Sequence, residues 1–166
     1  GWWTPFEETT PHLMHSLSKS FTSTAVGLAI GEGKLSLDDP VISFFPHDTP
    51  ADPSWQLEAM RIRDLITMTT GHRKEPRLFD KKSHWVKAFL DSEIEFKPGT
   101  HFQYNSAATY MLSAILQSVT GERVVDYLEK RLFQPLEIKK PDWDLSPEGI
   151  TTGGWGLRIT TEDIAK

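Results

Sequence analysis

The chain has 166 residues, of which 18 are basic and 23 acidic, and its formal net charge is −5 at pH 7. This balance, without a basic stripe, argues against nucleic acid and anionic membrane surfaces as partners. The absence of cysteine excludes disulfides, a thiolate nucleophile and cysteine-ligated metals, and no apolar run approaches the roughly 20 residues that span a bilayer.

The first predicted element is a helix over residues 16–32, ended by Gly31 and Gly33. A short helix is predicted over residues 41–45, and the density of Pro, Asp and Ser over residues 46–55 predicts a loop. The prediction of the first helix rests on apolar residues at spacings of three and four: Phe21, Ala25, Leu28 and Ala29.

The rest of the chain predicts further helices, separated by turns rich in glycine and proline. Ser83 is the predicted cap of one helix, which carries Trp85, Val86, Phe89 and Leu90. About six helices and almost no strand are expected in all. The other helices are predicted over residues 61–67, 106–119 and 124–133, with a helical turn over 161–166.

Ser16-Leu17-Ser18-Lys19 is the stretch that points most directly to chemistry. Ser16 and Lys19 are three residues apart and lie one helical turn from each other on the same face. An amine can take the proton of a serine when burial or nearby positive charge lowers its pKa, and a helix N-terminus beneath the serine favours an alkoxide. The pattern suits acyl transfer, but it also fits a helix cap followed by a solvated lysine.

Tyr104-Asn105-Ser106 is a second candidate site, at the start of another predicted helix. A tyrosine near a cationic lysine favours its phenolate form and can relay a proton to a leaving group. Ser106 follows two residues later, and we expect that its hydroxyl could hydrogen-bond Lys19 or a substrate carbonyl. The alternative interpretation is a half-buried Tyr104 followed by a helix cap at Asn105 or Ser106.

Other catalytic classes find little support in the sequence. The six histidines include His12 and His15, three residues apart, but there is no H-E-x-x-H and no third ligand at a suitable spacing. We therefore predict no metal site. The chain also lacks the G-x-S-x-G of an α/β-hydrolase.

Taken in chain order, the two motifs and their surroundings resemble the serine β-lactamase and penicillin-binding-protein superfamily. The likeness is greatest to the branch that contains class C β-lactamases, D-alanyl-D-alanine peptidases and related esterases. It covers nearly the whole chain and rests on residues 15–22, 32–41, 64–72, 98–106, 119–121, 153–157 and 160–166.

This resemblance implies a role for each candidate residue. Ser16 would be the nucleophile that forms an acyl-enzyme, and Lys19 would be its base or proton partner. Tyr104 would activate the nucleophile and serve the leaving group or the deacylating water, while the backbone N–H of Ser16 would supply half of an oxyanion hole. Asn105 and Ser106 would bind substrate, and no cofactor is implied.

The chain departs from the family pattern in two places. The usual Tyr-x-Asn reads Tyr-Asn-Ser, so the third position, Ser106, offers one donor instead of two. The family's third motif, Lys-Thr-Gly or His-x-Gly on a strand, has no counterpart. We therefore expect a mostly α chain, the helical part of an α+β β-lactamase/transpeptidase-like fold whose antiparallel sheet is largely missing. Residues 1–166 would be a fragment of one catalytic domain, truncated at both ends.

The expected function of the whole protein is that of a serine hydrolase of this superfamily: a β-lactamase-related hydrolase, a D-alanyl peptidase or an esterase. Its partner would be a small molecule or peptide with an amide, lactam or ester carbonyl. The alternative is a non-catalytic penicillin-binding or sensor protein on the same scaffold. We expect little or no activity from the isolated chain. The composition fits periplasmic, extracellular and cytoplasmic settings equally.

Overall fold

The computed structural model describes residues 2–78, 82, 84–139 and 141–166. Short 3-10 helices lie at His15–Leu17 and Val41–Phe44, and a π-helical turn lies at Glu129–Phe133. The α-helices of the described residues are α1 (Ser18–Gly31), α2 (Trp55–Ala59), α3 (Ile62–Ile66), α4 (Trp85–Leu90), α5 (Ser106–Thr120), α6 (Val124–Leu128) and α7 (Thr161–Ile164).

Helix α5 forms the centre of the core, and α1, α3, α4 and α6 pack against it. Every residue of α5 from Ala107 to Leu116 is buried, as is typical of a helix that is apolar on all sides. The Asn105 side chain caps the helix by accepting a hydrogen bond from the Ala108 N–H at 3.0 Å. Gly121 ends it with a left-handed φ of 72°.

The strands β1 (His12–Leu13), β2 (Asp142–Trp143) and β3 (Leu157–Ile159) form an antiparallel sheet in the order β1-β3-β2. Leu157 and Ile159 of the central strand are buried. The Leu157 carbonyl accepts a hydrogen bond from the Met14 N–H at 2.8 Å. The Leu157 N–H donates to the Ser18 Oγ at 3.3 Å. The sheet is therefore attached to the first turn of α1.

The predicted helices over residues 61–67, 106–119 and 124–133 are confirmed with small shifts of their ends, the last one passing into the π-helical turn. The first predicted helix begins as a 3-10 turn before α1. Helix α2 begins at the end of the predicted loop, where Ser54 caps it by accepting the Leu57 N–H at 3.2 Å. Ser83, the predicted cap of α4, lies outside the described residues, and His84 directly precedes that helix.

The expectation of a mostly α chain whose antiparallel sheet is largely missing is wrong. The three strands β1, β2 and β3 make the fold mixed α and β. Each strand has two or three residues, whereas alternation of apolar and polar residues identifies a strand only over about four to eight. Strand β3 pairs with β1, about 145 residues earlier in the chain, and with β2, about 15 residues earlier, so no local pattern records the pairing.

Candidate active site

Ser16 lies in the 3-10 turn directly before α1, and its side chain is exposed. The preceding residue, His15, has a φ of 42°, in the left-handed region that is uncommon for a side chain other than glycine. Buried hydroxyls hold the turn against the loop before β3. Besides the Ser18 bond to Leu157, the Thr22 Oγ1 donates to the Gly153 carbonyl at 2.9 Å.

The Ser16 Oγ has two side-chain partners. The Tyr104 Oη lies 2.5 Å from it, although the two residues are 88 positions apart in the chain. The Lys19 Nζ donates to it at 3.1 Å and also lies 5.0 Å from the centroid of the Tyr104 ring. The structure thus brings together the three residues that the sequence predicts to be catalytic.

The Gly154 carbonyl fixes the position of the Lys19 ammonium, which donates to it at 2.6 Å. Gly154 also lets the chain pass close to the site. A Cβ at this position would lie 3.2 Å from the Ser106 Cβ and 3.5 Å from the Lys19 Nζ. The Ser106 carbonyl oxygen would lie nearer still, at 3.1 Å, so a Cβ here would press on the first residue of α5.

The environment of Tyr104 favours the ionised phenol. Partial burial raises its pKa, but the hydrogen bonds with Lys19 and Ser16 and the positive charge of Lys19 lower it. Their combined effect leaves the pKa of Tyr104 below its ordinary value. The residue is 44% exposed, so it lies at the surface of the protein.

Asn105 and Ser106, the predicted substrate-binding residues, differ in their surroundings. The Asn105 side chain is fully buried. Its Oδ1 accepts the Ala108 N–H, and its Nδ2 donates to the Thr70 Oγ1 at 3.3 Å. Ser106 is half-buried and lies next to Gly154. Of the two, only Ser106 is therefore accessible to a ligand.

Two contributors to the site were not predicted from the sequence. The Glu75 carboxylate accepts the backbone N–H groups of Ser106 at 2.6 Å and Ala107 at 3.1 Å, where a negative charge is favoured at the N-terminus of α5. The Gly154 carbonyl orients Lys19. Glu75 gives no local signal, because its partners lie about 30 residues away. Gly154 belongs to one of the segments that carry the family resemblance, but that resemblance assigned it no role.

Among the described residues, no group of three or more histidine, aspartate or glutamate side chains is arranged to hold a metal ion. In the same part of the chain, none of the helices has the length and apolar character needed to cross a membrane.

Comparison with known proteins agrees with the resemblance that the motifs indicate. A family model described as Beta-lactamase matches residues 1–166, which confirms the predicted superfamily. Among solved structures, the chain is similar to a putative 6-aminohexanoate-dimer hydrolase from Bacillus anthracis, with a TM-score of 0.84 and 17% identity. The match covers 99% of this chain and 48% of that one. At this identity the likeness shows the fold, including the part that carries the sheet.

Curated proteins of known sequence give two further similarities. The chain is 29% identical over 142 residues to Protein flp of Staphylococcus aureus (strain MW2), covering 79% of this chain and 28% of that protein. It is 27% identical over 129 residues to a putative D-alanyl-D-alanine carboxypeptidase of Escherichia coli (strain K12), covering 70% of this chain and 30% of that protein. The chain thus spans less than a third of the length of these two relatives.

Proposed function

This chain belongs to the Beta-lactamase family, and on that premise we propose that it forms part of a serine hydrolase in which Ser16 becomes acylated. One observation carries the proposal: the Ser16 Oγ is hydrogen-bonded to both Lys19 and Tyr104. A serine needs an adjacent base to become a nucleophile at neutral pH. The names of the carboxypeptidase and dimer-hydrolase relatives also support hydrolysis.

The directions of the hydrogen bonds support a role for Tyr104 as the acceptor of the serine proton. The Lys19 ammonium can only donate, so the Ser16 Oγ accepts from it. When Tyr104 is in its phenolate form it can only accept, and the hydroxyl proton of Ser16 then points to the Tyr104 Oη. The lowered pKa of Tyr104 increases the fraction of phenolate that can take this proton. Lys19 would stabilise the resulting pair of oxygens by its charge.

In the proposed reaction the Ser16 Oγ attacks a carbonyl carbon while its proton moves to Tyr104. The tetrahedral intermediate collapses as the bond to the leaving amine or alkoxide breaks and Tyr104 returns the proton to that group. The acyl-enzyme on Ser16 is then hydrolysed by water. The substrate would be a small molecule or peptide with a lactam, amide or ester carbonyl, and no step needs a cofactor.

A second candidate is a non-catalytic penicillin-binding or sensor protein. The observation that favours it is the burial of Asn105, which leaves the serine hydroxyl of Ser106 where the family pattern has a carboxamide. Ser106 offers a substrate amide one donor instead of two. A poorly positioned acyl group can then stay on Ser16.

The two candidates differ in the fate of the acyl group. We expect the full-length protein that carries this chain to release product from a chromogenic ester or to bind a fluorescent penicillin covalently. Ser16→Ala should abolish both, while Ser20→Ala, which removes an exposed hydroxyl in the first turn of α1, should abolish neither. Continuous product release supports the hydrolase, and a stable adduct supports the sensor. Equal reactivity of Ser16→Ala and wild type would refute both.

A further inference from the structure

His72 lies in the buried interior behind the Tyr104-Asn105-Ser106 turn and is 2% exposed. Its Nδ1 is 2.8 Å from the Thr70 Oγ1, and its Nε2 is 2.7 Å from the Ser92 Oγ. The ring also packs against Phe89, with centroids 5.0 Å apart. The reaction proposed above does not use this buried histidine.

Each proton in this buried chain of polar groups can be assigned by counting donors and acceptors. The Ala108 N–H can only donate, so the Asn105 atom that faces it is the oxygen, and the Asn105 amide nitrogen faces Thr70. The Thr70 Oγ1 thus accepts a hydrogen bond from Asn105. Its own hydroxyl proton remains for the Nδ1 of His72.

The other side of the ring gives the same assignment. The Ser92 Oγ lies 2.5 Å from the Phe89 carbonyl, which can only accept, so the Ser92 proton is used there. The Ser92 Oγ must then accept from the Nε2–H of His72. The donors run in one direction, from Asn105 through Thr70, His72 and Ser92 to the Phe89 carbonyl. In the Nδ1–H tautomer, His72 could not accept the hydrogen bond from the Thr70 hydroxyl.

We propose that His72, as its Nε2–H tautomer, is a positioning residue of the candidate active site: it accepts the Thr70 hydroxyl and so fixes Asn105 and the adjoining Tyr104. The inference rests on the proposed function, because His72 would act by holding the Tyr104 phenol beside Ser16. Asn105 has one polar atom on the cap of α5 and the other on Thr70. Rotation of Asn105 would disturb the cap and, with it, the adjoining Tyr104.

The neutral state of His72 agrees with this arrangement. Burial lowers its pKa to about 4, so the ring carries a single proton near pH 7. The charged residues Arg73, Lys74, Glu93 and Glu95 line a cavity that His72 and Ser92 also border. Of these residues, Arg73 donates hydrogen bonds to the Glu95 carboxylate.

Two amide substitutions separate the hydrogen bond that His72 accepts from Thr70 at Nδ1 from the one that it donates to Ser92 at Nε2. His72→Asn can place an oxygen near the Nδ1 position and keep the bond from Thr70. His72→Gln reaches the Nε2 position and keeps the bond to Ser92 but leaves Thr70 without its acceptor. Both remove the ring and its packing on Phe89, so loss of packing affects them alike. Thr70→Val removes the same hydrogen bond as His72→Gln, the one between Thr70 and the Nδ1 of His72, and leaves the histidine in place.

The experiment measures acylation of the full-length protein by a chromogenic ester and the ultraviolet titration of its tyrosines. We expect His72→Asn to acylate within about threefold of wild type. His72→Gln and Thr70→Val should fall about tenfold or more, since small displacements of reacting groups are costly. In these two variants the low pKa of Tyr104 should also move up toward its ordinary value. Equal rates and equal titrations in the Asn and Gln variants would overturn the inference.

Nitrogen NMR of the labelled imidazoles tests the tautomer independently of activity. The signal that disappears in His72→Asn should show a protonated Nε2 and an unprotonated Nδ1 in the wild type. A protonated Nδ1 would overturn the inference even if acylation proceeds. If wild type shows the expected tautomer and titration but no acylation, the proposed function fails and the network stands.

Discussion

Acidification should destabilise the fold through His72. Burial lowers the pKa of this residue from 6.5 to about 4, so the unfolded chain binds the proton more readily than the folded one. Between these two values the unfolded state carries more protons, and the free energy of unfolding rises with pH. The contribution is fully present above the unfolded pKa and is lost progressively as the pH falls toward 4.

The size of this effect follows from the pKa shift of His72. A pKa change of one unit corresponds to about 1.4 kcal/mol, so the burial of neutral His72 corresponds to about 3 kcal/mol between pH 7 and pH 4. This is a large fraction of the roughly 5–15 kcal/mol that stabilises an ordinary domain. A loss of this size in the free energy of unfolding should therefore be measurable between pH 7 and pH 4.

Urea unfolding followed by circular dichroism between pH 4 and pH 8 measures the effect. His72→Asn should be less stable than wild type at pH 7, and the difference should shrink by about 3 kcal/mol toward pH 4. Carboxylates titrate in both proteins and cancel in the difference. His47→Asn, at an exposed position, controls for the removal of a histidine as such. A difference between wild type and His72→Asn that does not change with pH would show that His72 is not buried in its neutral form.

Two further predictions concern Lys19 and Gly71. Lys19→Ala should slow acylation of the full-length protein by about 100-fold or more in stopped-flow assays, because Ser16 and Tyr104 lose their cationic partner; a wild-type rate would remove Lys19 from the mechanism. Gly71→Ala should lower the urea-unfolding free energy by about 3 kcal/mol, since φ is 86° and the new Cβ meets the Phe96 carbonyl oxygen. Gly33→Ala, with φ 68° and open space, should cost about 1 kcal/mol; equal costs would contradict the predicted clash.

The sequence predicts the helices better than the sheet, for a physical reason. The apolar residues of α5 and the cap at Asn105 lie within a few positions of each other, so a local pattern records them. Strand β3 instead pairs with β1, about 145 residues away, and contains three residues. Its stability comes from burial of Leu157 and Ile159 in the folded state, which a local window does not contain.

The same distinction applies to the candidate site. Ser16 and Lys19 are one turn apart, so their proximity follows from the helix alone, whereas the approach of Tyr104 is predicted only through a resemblance to a family. The contacts that hold these groups come from scattered positions: the Gly154 carbonyl on Lys19 and the Glu75 carboxylate on Ser106. No spacing rule relates residues 31 or 135 positions apart, so only the fold identifies them.

In the proposed reaction the hydroxyl of Ser16 attacks a carbonyl and carries the acyl group until water removes it. The most direct test is to mix the full-length protein with a penicillin or an activated ester, quench with acid within one turnover and map the peptides by mass spectrometry. We expect a mass increase equal to the acyl group on the peptide that contains Ser16, and none in Ser16→Ala. An adduct on any other residue, or an unmodified Ser16 while product accumulates, would contradict it.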